Sequence, residues 1–248
     1  MNRDPRLLGL SSGSLPSSSA AALAATVVRL GAGTVDLRWG KGHGWEQDGL
    51  APFDQAGVSV AFIGVGVVLG RGDSALRAVA PVRELLDGRS GIPFKVFAAP
   101  ELDGSGDATA RSRSLAGRQA CVLAEWSGAP VLAETHHGYA SIASLGFLCE
   151  ELGCRLLLDV YGLHQLTGAL RDDTGTVRRW ARAAQVKGFE TVAGGRHLPL
   201  GQLPAPAWEL LGALPARAPV TVESRAGTID EDLAVLHQWC ANEGEEHR

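Results

Sequence analysis

Eight times along this chain, a short apolar run rich in β-branched residues gives way to a longer Ala/Leu/Arg stretch of helical period. The runs fall at residues 7–10, 34–37, 58–63, 94–98, 131–134, 155–159, 185–189 and 220–223. Such alternation is the pattern of repeated βα units, in which each helix carries the chain back so that the next strand lies parallel to the last. Eight units close a parallel sheet on itself, and 248 residues is close to the roughly 250 typical of that closure. The predicted fold is an α/β chain of one domain, a (β/α)8 TIM barrel over residues 1–242, followed by a disordered acidic tail at 243–248.

Helices are predicted at 17–30, 74–86, 140–152 (closed by Gly153), 177–184, 205–214 and 228–242. Two connections look reduced: 50–56, and 108–123, which follows a polar Gly/Asp loop at 103–107. Hydrophobic residues make up 45% of the chain, enough to fill one sizeable core, and a second full domain is not expected. Net charge is −4 and the 23 Lys and Arg are scattered, whereas a nucleic-acid binder concentrates them on one face, so no nucleic-acid partner is expected. Cys121, Cys149, Cys154 and Cys240 form no CxxC pair and are read as reduced thiols, mostly buried. The apolar stretch at 19–28 follows Asp4 and a strand-like LLGL with no clear cleavage site, and no run reaches membrane-spanning length. A cytoplasmic protein with no membrane partner is expected, and a homo-oligomer is left open.

Several strands finish on a charged or hydrogen-bonding residue. The second ends VDLRWGKGHG (Arg38, His43), the fifth VLAETHHG (Glu134, His136, His137), the sixth LLLDVYGLH (Asp159, His164) and the eighth VTVESR (Glu223, Arg225). In a parallel barrel all carboxyl ends share one rim, so Glu134, Asp159 and Glu223 are expected around one cavity. Three crowded carboxylates stay ionised only if positive charge is supplied. A divalent metal is one source, and hard oxygen donors suit Mn²⁺ or Mg²⁺. Lys187 and Arg225 are the competing source. Taken singly, each acid also reads as a helix cap or an arginine partner. One of His136 and His137 is expected to pack inward as a structural donor, His43 has an alternative turn role, and Trp39, Trp45 and Trp126 are read as core or rim packing before pocket wall.

At these residues the chain resembles the xylose-isomerase-like TIM-barrel superfamily, the group of sugar (phosphate) isomerases and epimerases. The resemblance covers nearly the whole chain and rests on VDLRWGKGHG, ETHHG, LLLD, QVKG followed by GGRHLPLG, and VTVES, in that order. It implies a divalent metal held by Glu134, Asp159, the residue at position 185 and Glu223, with Glu134 and Glu223 as the catalytic pair that moves a proton through an enediolate. The family histidine of a His-Val-Lys-Asp type motif falls on Gln185, while Lys187 keeps the lysine. Glutamine offers an oxygen to a hard metal but cannot shuttle a proton, so the metal is either retained on a weaker ligand set or absent. Relatives also carry a histidine where this chain has Gly162, and His164 follows two residues later. Arg38, His43, His136, His164, Lys187, Arg196 and His197 are the expected substrate-binding groups for a polyhydroxy or keto compound. Two alternatives stand beside this reading: a metal-independent acid/base enzyme of the same family, performing a cyclisation or dehydration, and a non-catalytic ligand-binding barrel.

Overall fold

The computed structural model describes residues 4–72, 74–86, 88–103, 110–136, 138–167, 170, 173–192 and 195–243. The expected chemistry of His137, most of the 103–107 loop and the tail beyond residue 243 lie outside them. The strands in chain order are β1 Leu8–Ser11, β2 Thr34–Arg38, β3 Ser59–Leu69, β4 Phe94–Ala98, β5 Leu132–Glu134, β6 Arg155–Asp159, β7 Ala181–Val186, β8 Gly188–Phe189, β9 His197–Leu198 and β10 Val220–Val222. Eight of them form a closed barrel in the order β1-β10-β7-β6-β5-β4-β3-β2, with every neighbour parallel. β8 and β9 make a separate antiparallel pair. The α-helices are α1 Ala20–Arg29, α2 Ala51–Gln55, α3 Ser74–Leu86, α4 Ala110–Ser127, α5 Ile142–Leu152, α6 Val160–Thr167, α7 Thr174–Trp180, α8 Ala205–Gly212 and α9 Ile229–Glu243. None of the described helices is long and apolar enough to cross a membrane.

Period-two alternation sorts the barrel interior into layers. Leu132, Leu157 and Ala183, with Phe62, form a small apolar cluster of their own. Two residues further along the same strands come Glu134, Asp159 and Gln185, and two beyond Gln185 comes Lys187. An apolar plug thus lies beneath the polar groups, all on the same faces of β5, β6 and β7. The remaining buried hydrophobics form one continuous cluster that includes the helix faces, among them Leu23, Leu123, Leu145 and Leu211.

Three elements depart from the sequence expectations. The strand expected at 185–189 is displaced: β7 begins at Ala181, in the middle of the helix expected at 177–184, and α7 ends at Trp180. The alanines of RAAQV have high helix propensity, but Ala183, Ala184 and Gln185 are buried in the barrel wall, and tertiary burial overrides propensity. The connection at 108–123 is not reduced, because α4 runs for 18 residues. α6, which was not expected, starts directly after β6 with no loop between them. Its first turn is capped by Asp159, whose Oδ1 accepts from the N–H groups of Tyr161 (2.9 Å) and Gly162 (3.1 Å).

The β6–α6 junction explains why a glycine stands at 162. A Cβ there would lie 1.9 Å from the carbonyl oxygen of Thr135, which is backbone and cannot swing aside. Thr135 also locks the ends of β5 and β6 together: its Oγ1 donates to the Asp159 carbonyl (2.7 Å) and accepts from the Asp159 N–H (2.9 Å). Gly162→Ala is therefore expected to cost about 3 kcal/mol by forced overpacking, measured as a shift of the urea unfolding midpoint. An unchanged midpoint would contradict this packing.

Candidate active site

A cavity of about 290 Å³ opens at the carboxyl ends of the strands, lined by Arg38, Phe97, Glu134, His136, Asp159, Tyr161, Gly162, Gln165, Lys187, His197, Glu223 and Arg225. The three acids expected to meet do line one cavity. Each is buried, and each is held by a cation. Lys187 Nζ lies 2.9 Å from Asp159 Oδ2 and 2.8 Å from Glu223 Oε2, so a single ammonium bridges both. Glu223 Oε1 is 2.7 Å from Arg38 Nη2, accepts from Arg225 Nε at 2.7 Å, and also accepts from Arg225 Nη2. Glu134 accepts from Lys95, which rises on β4 beneath Phe97 and lies 4.5 Å from that ring's centre.

These partners set the acids apart. Burial pushes Glu134 upward and nearby Asp159 adds to this, against Lys95 and Lys187, and the net result is a carboxyl held above the ordinary range. Burial pushes Glu223 upward too, but Lys187, Arg38 and Arg225 outweigh it and hold its pKa at about 2. Burial disfavours the Lys187 ammonium, yet Asp159 and Glu223 keep its pKa above the usual lysine value. His197 is pushed down by burial and by Lys187 and Arg225, so its imidazole is neutral at pH 7.

One row below, Asp36 is fully buried between strands. It accepts from Ser11 Oγ (2.7 Å), Thr221 Oγ1 (2.5 Å) and Gln185 Nε2 (3.2 Å), and burial raises its pKa despite these donors. Gln185 therefore faces Asp36 rather than the cavity, and its Oε1 is buried with no partner among the described residues.

No protein-family model matches the sequence, and no curated protein matches it. Solved structures do match. A xylose isomerase domain containing protein from Salmonella typhimurium superposes with a TM-score of 0.73 at 13% identity, covering 98% of each chain. L-ribulose 3-epimerase gives 0.65 at 15% identity over 100% of this chain and 97% of the other. The 3-keto-D-glucoside 4-epimerase of E. coli gives 0.63 at 15% identity over 93% and 98%. The chain shares the (β/α)8-barrel fold of these proteins.

In this barrel the donor set expected for a divalent ion does not fit one as arranged. Asp159 spends one oxygen on capping α6 and the other on Lys187, both Glu223 oxygens face cations, and Gln185 is turned away. Among the described residues no three His, Cys, Asp or Glu side chains are grouped to hold a metal. Three expected substrate-binding groups also stand off the cavity. His43 packs against Ser12 (Oγ to Nδ1 3.2 Å) and starts a short 3-10 turn, burial lowering its pKa. His164, on α6, is buried against Phe189 with ring centres 5.2 Å apart. Arg196 pairs with Glu190 at the exposed β8–β9 turn (2.8 Å). Lys95, Phe97 and Tyr161 line or support the cavity without having been singled out from the sequence. Lys95 lies inside an apolar run rather than at its end, and Tyr161 could be placed only once α6 was known to follow Asp159 directly.

Because Glu223 titrates near 2 in the folded protein and about 4.3 unfolded, its charge stabilises the fold above the unfolded value. That contribution is lost as pH falls through the folded value. Glu223→Gln, which strands three cations, is expected to lose about 3 kcal/mol at pH 7, with the deficit shrinking as pH drops below about 4. Chemical denaturation of both proteins across that range tests the sign. A deficit that grows in acid would contradict the charge arrangement.

Proposed function

We propose that this barrel is an isomerase- or epimerase-type enzyme that moves a proton beside the carbonyl of a small polyhydroxy compound. In this reading Glu134 carries the proton, and side-chain cations rather than a divalent metal balance the developing charge. The observation that carries it is the contrast between two buried acids in one cavity. Glu134 has a single tight cation partner and an elevated pKa, while Glu223 is tied to three cations. Acid/base roles separate where environments push two pKa values apart.

The ionised Glu134 carboxylate would take the hydrogen on the carbon beside the carbonyl, the bonding pair moving to form the carbon–carbon double bond of an enediolate as the carbonyl oxygen gains charge. Lys187, with Arg38 behind Glu223, is the cation at the cavity available to that oxygen. Glu134 then returns the proton to the neighbouring carbon. A carboxylate with a pKa of about 2 is a poor base. One competent base favours proton transfer along one face, as in aldose–ketose isomerisation, over the two-base inversion of an epimerase. Phe97 and Tyr161 supply apolar surface for the carbon–hydrogen faces of such a substrate, and His197 offers its ring to the hydroxyls, while His136 Nε2 is taken by the Ala98 carbonyl at 3.1 Å. The superposed epimerases act on L-ribulose and a 3-keto-D-glucoside by their names, which points the search for substrates to ketoses and keto-sugars.

The test is exchange of the substrate's α-hydrogen in heavy water, followed by proton NMR over a panel of ketoses and aldoses. Glu134→Gln is expected to slow exchange about a thousandfold and Lys187→Met about a hundredfold, read on variants whose circular dichroism matches the parent, while a chelator leaves the rate unchanged. The rate should rise with pH through a limb above the ordinary carboxylate range, because Glu134 must ionise to act. Exchange that survives Glu134→Gln would overturn the assignment. Binding of the panel without exchange would favour the ligand-binding alternative, and loss of activity to chelator would restore the metal.

A further inference from the structure

At the opposite, amino-terminal mouth of the barrel lies a second cavity of about 300 Å³. Its floor is the underside of the apolar plug, Ala61, Leu132 and Ala183, and its walls carry Pro93, Pro130 and Pro219. Small residues at 61 and 183 leave space where larger side chains would close the mouth. Proline rings present apolar surface and no N–H, so the cup itself offers few polar groups.

Two arginines stand at this cup. Arg155 opens β6 and shares a strand face with Leu157 and Asp159, so period-two alternation turns it toward the barrel axis. Arg182 is placed by a different device. The pairing of β6 with β7 slips at this point, Leu156 facing Ala181 and Leu157 facing Ala183, so Arg182 is the extra residue of a bulge. Bulges re-aim side chains, and this one puts a second guanidinium at the mouth beside the first. Each donates from Nη1 to a neighbouring carbonyl, Arg155 to Cys154 (3.0 Å) and Arg182 to Ala181 (2.6 Å). No acid lines the cup, and neither arginine has an ion pair among the described residues. Burial and then the like charge of Arg155 lower the pKa of Arg182. Every cluster of cations at the carboxyl-end cavity is matched by carboxylates, whereas this pair is not.

We propose that the amino-terminal mouth is a binding site for a small organic anion, its carboxylate or phosphate held by Arg155 and Arg182 and its apolar body seated on Ala61, Leu132 and Ala183. The volume sits at the lower end of small-ligand pockets, and guanidinium forks suit planar or tetrahedral oxyanions. This site is independent of the proton-transfer chemistry at the other end.

Isothermal titration of the full-length protein with butyl phosphate, butanoate, inorganic phosphate and butanol tests it. Saturable binding is expected for at least one of the two organic anions, weaker binding for inorganic phosphate and none for butanol. The two organic probes tell a phosphate site from a carboxylate site. The double substitution Arg155→Gln/Arg182→Gln should weaken the preferred probe by about tenfold or more, the loss of a charge-assisted contact. Ala183→Leu should exclude the probe while both arginines remain, and Glu134→Gln should leave its affinity unchanged. Because Ala183→Leu could disturb the plug, its circular dichroism and melting are read alongside, and the arginine pair, half-exposed at the mouth, provides the variant that keeps the core. Absence of saturable binding by either organic anion, equal binding of butanol, or affinity that survives the arginine substitutions would overturn the proposal.

Discussion

A single buried ammonium, Lys187, sits between Asp159 and Glu223, and the charge logic of the barrel depends on it. Three carboxylates brought to one rim by strands far apart in sequence would repel each other and protonate unless cations met them. Four do: Lys95, Lys187, Arg38 and Arg225. Their distribution is unequal. Glu223 receives three, Glu134 has its one tight partner, and the two acids are driven in opposite directions, Glu223 down and Glu134 up. Breaking a buried pair typically costs several kcal/mol because the stranded partner stays buried, so these groups position one another as firmly as the strands position them.

The same alternation that closes the barrel also stacks its contents. An apolar plug at Leu132, Leu157 and Ala183 supports a row built on Asp36, Gln185 and Thr221, and above that row stand Lys187 and Glu223. Gln185 is absorbed into the middle row, where the buried Asp36 carboxylate claims its amide. The side chain of Gln185 thus serves the wall, and Lys187, two residues on, lines the cavity. The plug separates two mouths of different character, one with paired charges and one with unmatched cations over apolar floor.

Much of this was readable from the chain alone, for identifiable reasons. The strands at 34–38, 94–98 and 155–159 stand out because parallel strands buried on both faces read as continuous apolar runs. Glu134, Asp159 and Glu223 were found because each closes such a run. β7 was displaced because its alanines carry a helical propensity that only burial overrides, and Lys95 escaped notice because a charge inside FKVFA looks like an interruption until its carboxylate partner on the neighbouring strand β5 is known. Asp36 was hidden in the same way within TVDLR. Arg196 and His43 lie near strand ends in sequence, but a surface ion pair and a turn hold them elsewhere. Proximity to a strand end selects candidates; which of them face the cavity is decided by partners that a linear reading cannot pair.

In the proposed function, cations supplied by the chain's own side chains split Glu134 and Glu223 into a proton carrier and a fixed charge. A carbon-detected NMR titration of the side-chain carboxyls in chelator-treated protein, with Glu134→Gln and Glu223→Gln used to assign the two signals, measures this directly. Glu134 is expected to titrate above the ordinary carboxylate range and Glu223 near 2. Two carboxyls titrating together in the ordinary range, or in the reverse order, would contradict it.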